Sequence, residues 1–233
     1  MLVDGHGILI DFDNAIVRST HDVIPQDPLT GTLPFVSAEL LTQEYYFDDD
    51  DNKGAVRVIP LHDFIHDLES LCWVLVWICV ARDGPARRRR DMHSKEDTWE
   101  LNKLRRDIKT LFEDSHTTMA IAKQAVMLQV AFQKPPLVGH VSEFFSPLKP
   151  LITDFLRILV KAYQEHSTDS GAIYKLVFEA FDRCIARLKA HPVALSEVHK
   201  SLQHEDDTEE SRSGSQLGPV ATDGEDFALA SKG

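Results

Sequence analysis

The chain has 233 residues, with 37 Asp and Glu against 25 Lys and Arg, for a formal net charge of -12. That length is enough to bury a sizeable core, and the acid excess argues against the chain as a whole being a nucleic-acid binder, because affinity for phosphates comes mostly from Lys and Arg. Three cysteines, Cys72, Cys79 and Cys184, are too few for a disulfide framework and lack paired metal spacing, so they read as core thiols of a reducing, intracellular compartment.

Met1 to Gly5 has neither the basic start nor the long apolar run of a secretory signal. Gly7-Ile8-Leu9-Ile10 reads as an apolar strand running into Asp11-Phe12-Asp13. Val17 to Pro34 holds Pro25, Pro28, Gly31 and Pro34, which predicts a loop of roughly twenty residues, a length that is uncommon without a function. A short helix is expected from Ser37, with Leu40 and Leu41 inward. Asp48 to Asp51, followed by Asn52-Lys53-Gly54, reads as an exposed acidic loop.

From Pro60 to Val80 the pattern is helical, and eleven of the thirteen residues Leu68 to Val80 are apolar. A helix apolar on every face sits at the centre of a fold. Its apolar run Leu71 to Val80 would rise only about 15 Å, half of what a bilayer needs, so a core helix and no membrane contact is expected. Trp73, Trp77, Cys72 and Cys79 belong to that core. Arg82 to His93 reads as a charged loop broken at Gly84-Pro85. Asp97-x-x-Glu100 resembles a capping signal, and Leu101, Leu104, Ile108, Leu111 and Phe112 then repeat at helical spacing. Further helices are expected over Thr117 to Phe132 and over Pro147 to Gln164, the latter with Leu151, Ile152, Phe155, Leu156 and Leu159 on one face. Ile173, Leu176, Val177, Ala180, Phe181, Cys184 and Leu188 mark a last amphipathic helix. The fold class expected is mainly α: one short strand, a long loop, and five or six helices around one buried helix. From Ser201 onward eight acids face two bases, so half the net charge lies there, in a segment rich in Ser and Gly. It reads as a disordered acidic tail, residues 201–233, after a folded part of residues 1–200.

Two side groups are weighed for chemistry. His62-x-x-x-His66 places two imidazoles on one helical face beside Asp67, a spacing that can bind zinc, yet no third ligand is evident and polar packing at a helix start is the simpler reading. Arg87 to Arg90 could touch an acidic partner or nucleic acid, but a solvated loop explains it as well.

Three segments in order carry the stronger signal. They are Leu9-Ile10-Asp11-Phe12-Asp13, then Gly31-Thr32-Leu33-Pro34-Phe35-Val36-Ser37-Ala38-Glu39, then His66-Asp67-Leu68-Glu69-Ser70. An acid at the end of a strand, followed by an aromatic, can hold a metal beside a nucleotide. Together the three resemble the C-terminal lobe of a protein kinase, and their wording resembles the fungal-type protein kinase family over Gly7 to Gly84. Asp11-Phe12-Asp13 matches D-F-G, with Asp13 in the place of Gly. Gly31 to Glu39 matches G-T-x-x-Y-x-A-P-E, with Phe35 for Tyr, Ser37 for Ala and Ala38 for Pro. Asp67-x-x-Ser70 matches the D-x-W-S start of the lobe's central helix.

The resemblance implies roles. Asp11, with Asp13 beside it, would bind the Mg²⁺ that bridges ATP phosphates, so ATP and Mg²⁺ are the implied cofactors. Thr32 would line the substrate-side loop. Glu39 would anchor its segment by an ion pair to an Arg, with Arg157, Arg183 and Arg187 as candidates. Asp67 would be a buried carboxylate accepting N–H bonds from the catalytic loop, and Ser70 would be structural. Ser19, Thr20 and Thr30 are possible phosphorylation sites. The family activity is ATP-dependent phosphorylation of protein Ser or Thr, and a protein substrate or partner protein is implied. The 233 residues contain no G-x-G-x-x-G strand–loop–strand, no V-A-I-K lysine before Asp11 and no H-R-D-x-x-x-x-N loop. The expectation is therefore a partial kinase-like domain without the nucleotide lobe, with no catalytic residue of its own. It would be either inactive alone or a pseudokinase-like binding fragment. The strand at Gly7 to Ile10 would lack a hairpin partner, and a buried Asp67 would cost several kcal/mol.

Overall fold

The structure, a computed structural model, describes residues 2–3, 6–7, 32–47, 59–84, 87–132 and 137–190. Asp11, Asp13, Ser19, Thr20, Thr30, the Asp48 to Asp51 run and residues 201–233 lie outside the described residues. The chain divides into two units, Met1–Arg187 and Leu188–Gly233, and the fold described is that of the first. At its start, β1 (Leu2–Val3) pairs antiparallel with β2 (His6–Gly7), with Leu2 opposite Gly7 and Val3 opposite His6. Gly7, the first residue of the expected strand, thus has a partner, and Ile8 to Ile10 lie outside the described residues.

A 3-10 turn, Leu33–Phe35, leads into the short helix α1 (Ala38–Thr42), which ends at Gln43 in the left-handed conformation. Its buried residues are Ala38 and Glu39; Leu40 and Leu41 are half-buried, with Leu41 packed against the core as expected. The central element is α2 (Phe64–Ala81). It starts at a reciprocal cap: the Asp63 carboxylate accepts the Phe64 N–H at 2.6 Å, and His66 Nδ1 accepts the Asp63 N–H at 2.9 Å. Cys72, Trp73, Val76 and Cys79 have no exposure at all. Each such side chain contributes about 1.5–3 kcal/mol of apolar burial. The helix is not covered on every side, however. Leu71 and Ile78, seven residues apart on one stripe, are 50% and 37% exposed. Among the described residues α2 is long and apolar enough to cross a membrane by length and composition; its inner side is packed by α5 (Lys149–Gln164) and by the Leu33–Phe35 turn.

The segment after α2 is more ordered than a charged loop. A ribbon of β3 (Arg82–Gly84) and β4 (Arg87–Arg88) folds back antiparallel, with Gly84 at φ 148°. Arg89 turns inward: it pairs with Asp91 at 2.9 Å and donates to the carbonyls of Val80 and His140. Its guanidinium thus closes the carboxyl end of α2, where helix carbonyls lack partners. Ser142 finishes that end, its N–H on Cys79 O at 2.9 Å and its hydroxyl on Arg82 O at 2.7 Å.

The remaining helices follow the expected periodicity. α3 (Trp99–Phe112) buries Leu101, Leu104, Ile108, Leu111 and Phe112. Its N-cap is Thr98, whose hydroxyl accepts the Leu101 N–H at 3.3 Å, rather than Asp97, which accepts from Asn102. α4 (His116–Ala131) is capped by Ser115 and packs against α1, α3 and α5. α5 buries all five predicted inward residues, and Pro150 sits in its first turn, where no N–H is needed. α6 (Ser170–Ala190) buries Ile173, Val177, Ala180 and Cys184, while Leu176 is exposed.

Candidate functional site

Two of the three sequence motifs, the one ending at Glu39 and the one over His66 to Ser70, meet at the first two turns of α2. Glu69 is fully buried and acts as a hub. Its Oε1 accepts hydrogen bonds from Tyr46 OH (2.6 Å), Trp73 Nε1 (2.8 Å) and the Ala38 N–H (3.2 Å). Its Oε2 accepts from Tyr163 OH at 2.6 Å. A carboxylate offers about four acceptor positions, so the buried group is saturated. The donors come from α1, from the chain just after it, from α2 itself and from α5.

Glu39 sits beside this hub, also buried. Its Oε1 accepts the Tyr46 N–H at 2.8 Å, and its Oε2 lies 3.2 Å from His66 Nε2. Because His66 Nδ1 accepts a backbone N–H, its ring proton is on Nε2 and is donated to Glu39. The partner of Glu39 is thus a histidine, not one of the three arginines considered; Arg183 instead meets Asp154 at 3.3 Å. Both nitrogens of His66 are engaged, which removes it as a zinc ligand, and no group of three or more metal-ligating side chains gathers among the described residues. Ser70 donates to the His66 carbonyl at 2.9 Å, a bond within the helix.

Lys123 of α4 completes the cluster with no exposure. Its Nζ donates to Val36 O at 2.6 Å and lies 5.5 Å from the Trp73 ring centroid. Burial holds its ammonium down to about 8, against the opposing pull of Glu69. Burial and the nearby Glu69 push the phenols of Tyr46 and Tyr163 well above their ordinary value, so both stay protonated donors. Between them, Glu39, Glu69 and Lys123 fasten Val36, Ala38 and Tyr46 to the central helices. Ser37 Oγ is buried there without a hydrogen-bond partner.

Other motif residues fall differently. Thr32 is exposed, and its side chain makes no capping bond; its carbonyl accepts the Phe35 N–H at 2.8 Å. Phe35 packs edge-on against Trp77, with centroids 6.2 Å apart. Asp67 is not buried: its side chain is 69% exposed and accepts from His62 Nε2 at 2.8 Å. Among the described residues no N–H group is brought to it, and a carboxylate stays in water rather than enter a core unpaired.

Glu69, Lys123, Tyr46 and Tyr163 were not singled out from sequence. The available signal was that Glu69 is the lone acid in an apolar run of thirteen, and Lys123 the lone Lys or Arg in α4. A charge in such a setting must be buried with partners or disrupt the helix.

The architecture is therefore a mainly helical domain whose Val36 to Tyr46 stretch is clamped onto a central helix. Residues 3–79 match the family model described as fungal protein kinase, the family that the motifs resemble. The matched stretch contains Asp11, Asp13, Thr32, Glu39, Asp67 and Ser70, and stops within α2; α3 to α6 lie beyond it. No curated protein matches the chain, and no solved structure matches it.

Proposed function

We propose that this chain supplies the activation-segment end and the helical C-terminal lobe of a fungal-type protein kinase, whose family activity is transfer of phosphate from ATP to protein Ser or Thr. The observation that carries this reading is the burial of Glu39, the closing Glu of the G-T…E segment, held to α2 through His66 while its other oxygen accepts the Tyr46 N–H. A substrate-side loop needs such an anchor, since phosphoryl transfer depends on positioning. Asp11 and Asp13 offer hard oxygen donors of the kind that Mg²⁺ takes; they would hold the ion, which supplies charge neutralisation at the phosphates. The three buried, unpaired cysteines fit a reducing intracellular setting.

These 233 residues hold no H-R-D base and no phosphate lysine ahead of Asp11. As they stand they are expected to bind rather than turn over. Asp67 favours that second reading: it stands in water beside His62 instead of gripping a catalytic loop. The test is thermal stability with and without ATP and Mg²⁺, alongside transfer of labelled phosphate to a generic basic protein. Saturable stabilisation that vanishes in Asp11→Ala, with no transfer, supports a nucleotide-binding, non-catalytic lobe. Measurable transfer abolished by the same variant overturns the absence of catalysis. No response to nucleotide leaves protein binding as the function.

A further inference from the structure

Helix α6 carries two apolar stripes side by side. Ile173, Val177, Ala180 and Cys184 form the buried one. The other is Tyr174, Phe178, Phe181 and Ile185, at the steps of four, three and four residues that make a coiled-coil seam. Tyr174, Phe178 and Ile185 are 37%, 64% and 44% exposed. The second stripe grows directly out of the core. Phe181 lies half-buried against Phe155 of α5, with centroids 6.0 Å apart. Tyr174 meets Phe64 of α2 at 5.9 Å and stacks on Phe178 at 6.4 Å.

Lys175 and Asp182 flank this stripe on its outer side. They are seven residues apart, hence two turns apart on one line. Both are exposed, and neither has a hydrogen-bond or ion-pair partner. Arg183, the next residue after Asp182, points across the helix and is committed to Asp154 at 3.3 Å.

This arrangement distinguishes the two ways in which α6 can meet another α6. A parallel pair sets Lys175 against Lys175 and Asp182 against Asp182. An antiparallel pair sets each Lys175 against the Asp182 of the other copy. The same antiparallel register lays Tyr174 over Ile185 and Phe178 over Phe181. The charged flank and the apolar stripe thus agree on one orientation, and a two-fold axis generates it, placing the same patch on both copies. The chain's charge of -12 does not oppose the contact locally, since the facing line holds one cation and one anion.

We infer that the Tyr174–Ile185 stripe of α6 binds a second copy of this chain, α6 against α6 in antiparallel register, with two reciprocal Lys175–Asp182 pairs. Tyr174 and Phe178 offer roughly 200 Å² of aromatic surface per copy, well under the usual 800 Å² or so per partner, so the dimer is of the weak, reversible class. The inference is independent of whether the chain binds nucleotide.

The experiment is sedimentation equilibrium of the full 233-residue chain at low and high micromolar concentrations. Association to twice the monomer mass is expected at the high end. Phe178→Ser, at the most exposed position of the stripe, should weaken it about tenfold or more with unchanged circular dichroism. Charge exchange tests the register. Lys175→Asp and Asp182→Lys each oppose like charges at both crossings and should weaken the dimer about tenfold at low salt. The chain carrying both substitutions restores two opposite pairs and should dimerise at wild-type strength. A mixture of the two single variants should likewise form heterodimers. A monomer throughout the range means that something other than a second copy covers the stripe, and overturns the proposal. A dimer indifferent to Phe178→Ser, or a double exchange that fails to recover, overturns it as well.

Discussion

Two carboxylates lie two residues apart on α2 and meet opposite fates. Glu69 faces inward, fully buried, and accepts four hydrogen bonds from elements as far apart as α1 and α5. Asp67 faces outward and keeps one exposed contact with His62. Both belong to the same helix and the same motif. What separates them is the supply of donors, since an acid enters a core only where its lone pairs are met. The inner side of these turns is thus a fixed anchor, and the outer side is an open polar edge.

The sharpest way to break this contrast is Glu69→Ala. It strips the acceptor from two phenols, an indole and a backbone N–H, and takes a counter-charge from Lys123. A loss of about 3–5 kcal/mol is expected in urea denaturation. A loss under 1 kcal/mol would mean that the hub is ornamental.

Lys123→Met comes next. It removes the bond to Val36 O and a buried cation together, for a net cost of about 1–3 kcal/mol near neutral pH. The pH dependence is more telling. Lys123 titrates at about 8 when folded, against 10.5 as its ordinary value. Between those values the unfolded chain holds a proton that the folded chain has released, so raising the pH favours folding. The Lys123 contribution is smallest below pH 8 and grows through pH 8 to 10.5. The raised phenols and thiols act in the opposite direction at high pH, but they are common to both proteins. The difference in unfolding free energy, wild type minus variant, should therefore move in favour of the wild type from pH 7 to pH 10. A constant difference would show that the ammonium is not held in the core.

The smallest effect belongs to Asp67→Ala. With the side chain and its His62 partner both largely exposed, the change should stay within about 0.5 kcal/mol. A loss as large as that of Glu69→Ala would place Asp67 in a buried network after all.

Much of the helical layout was legible because it rests on local periodicity. The five apolar residues of α3 and the five of α5 are buried as their spacing predicts. Boundaries were less so: α2 begins at Phe64 rather than Pro60, where the Asp63–His66 cap forms. The motif order was enough to point to the family that matches residues 3–79. The anchor itself was only half visible. Glu39 is legible as an anchor, but the motif points to an arginine partner, and His66 reads from sequence as a zinc ligand or as polar packing at a helix start, without a link to Glu39. The bonds that settle the matter join residues separated by 27, 87 and 94 positions, and spacing rules do not reach that far. Asp67 was placed inside because a motif describes a residue in the company of a loop, and here that company is not among the described residues.

The reach of the Glu69–Tyr163 bond has a consequence for how the chain is made. At a synthesis rate of about 5–20 residues per second, the 94 positions between them take roughly 5–20 s to emerge from the ribosome. Throughout that interval the most apolar of the described helices carries an acid whose partner from α5 does not yet exist. Until α5 is translated, Glu69 therefore lacks the phenol that closes its fourth acceptor position.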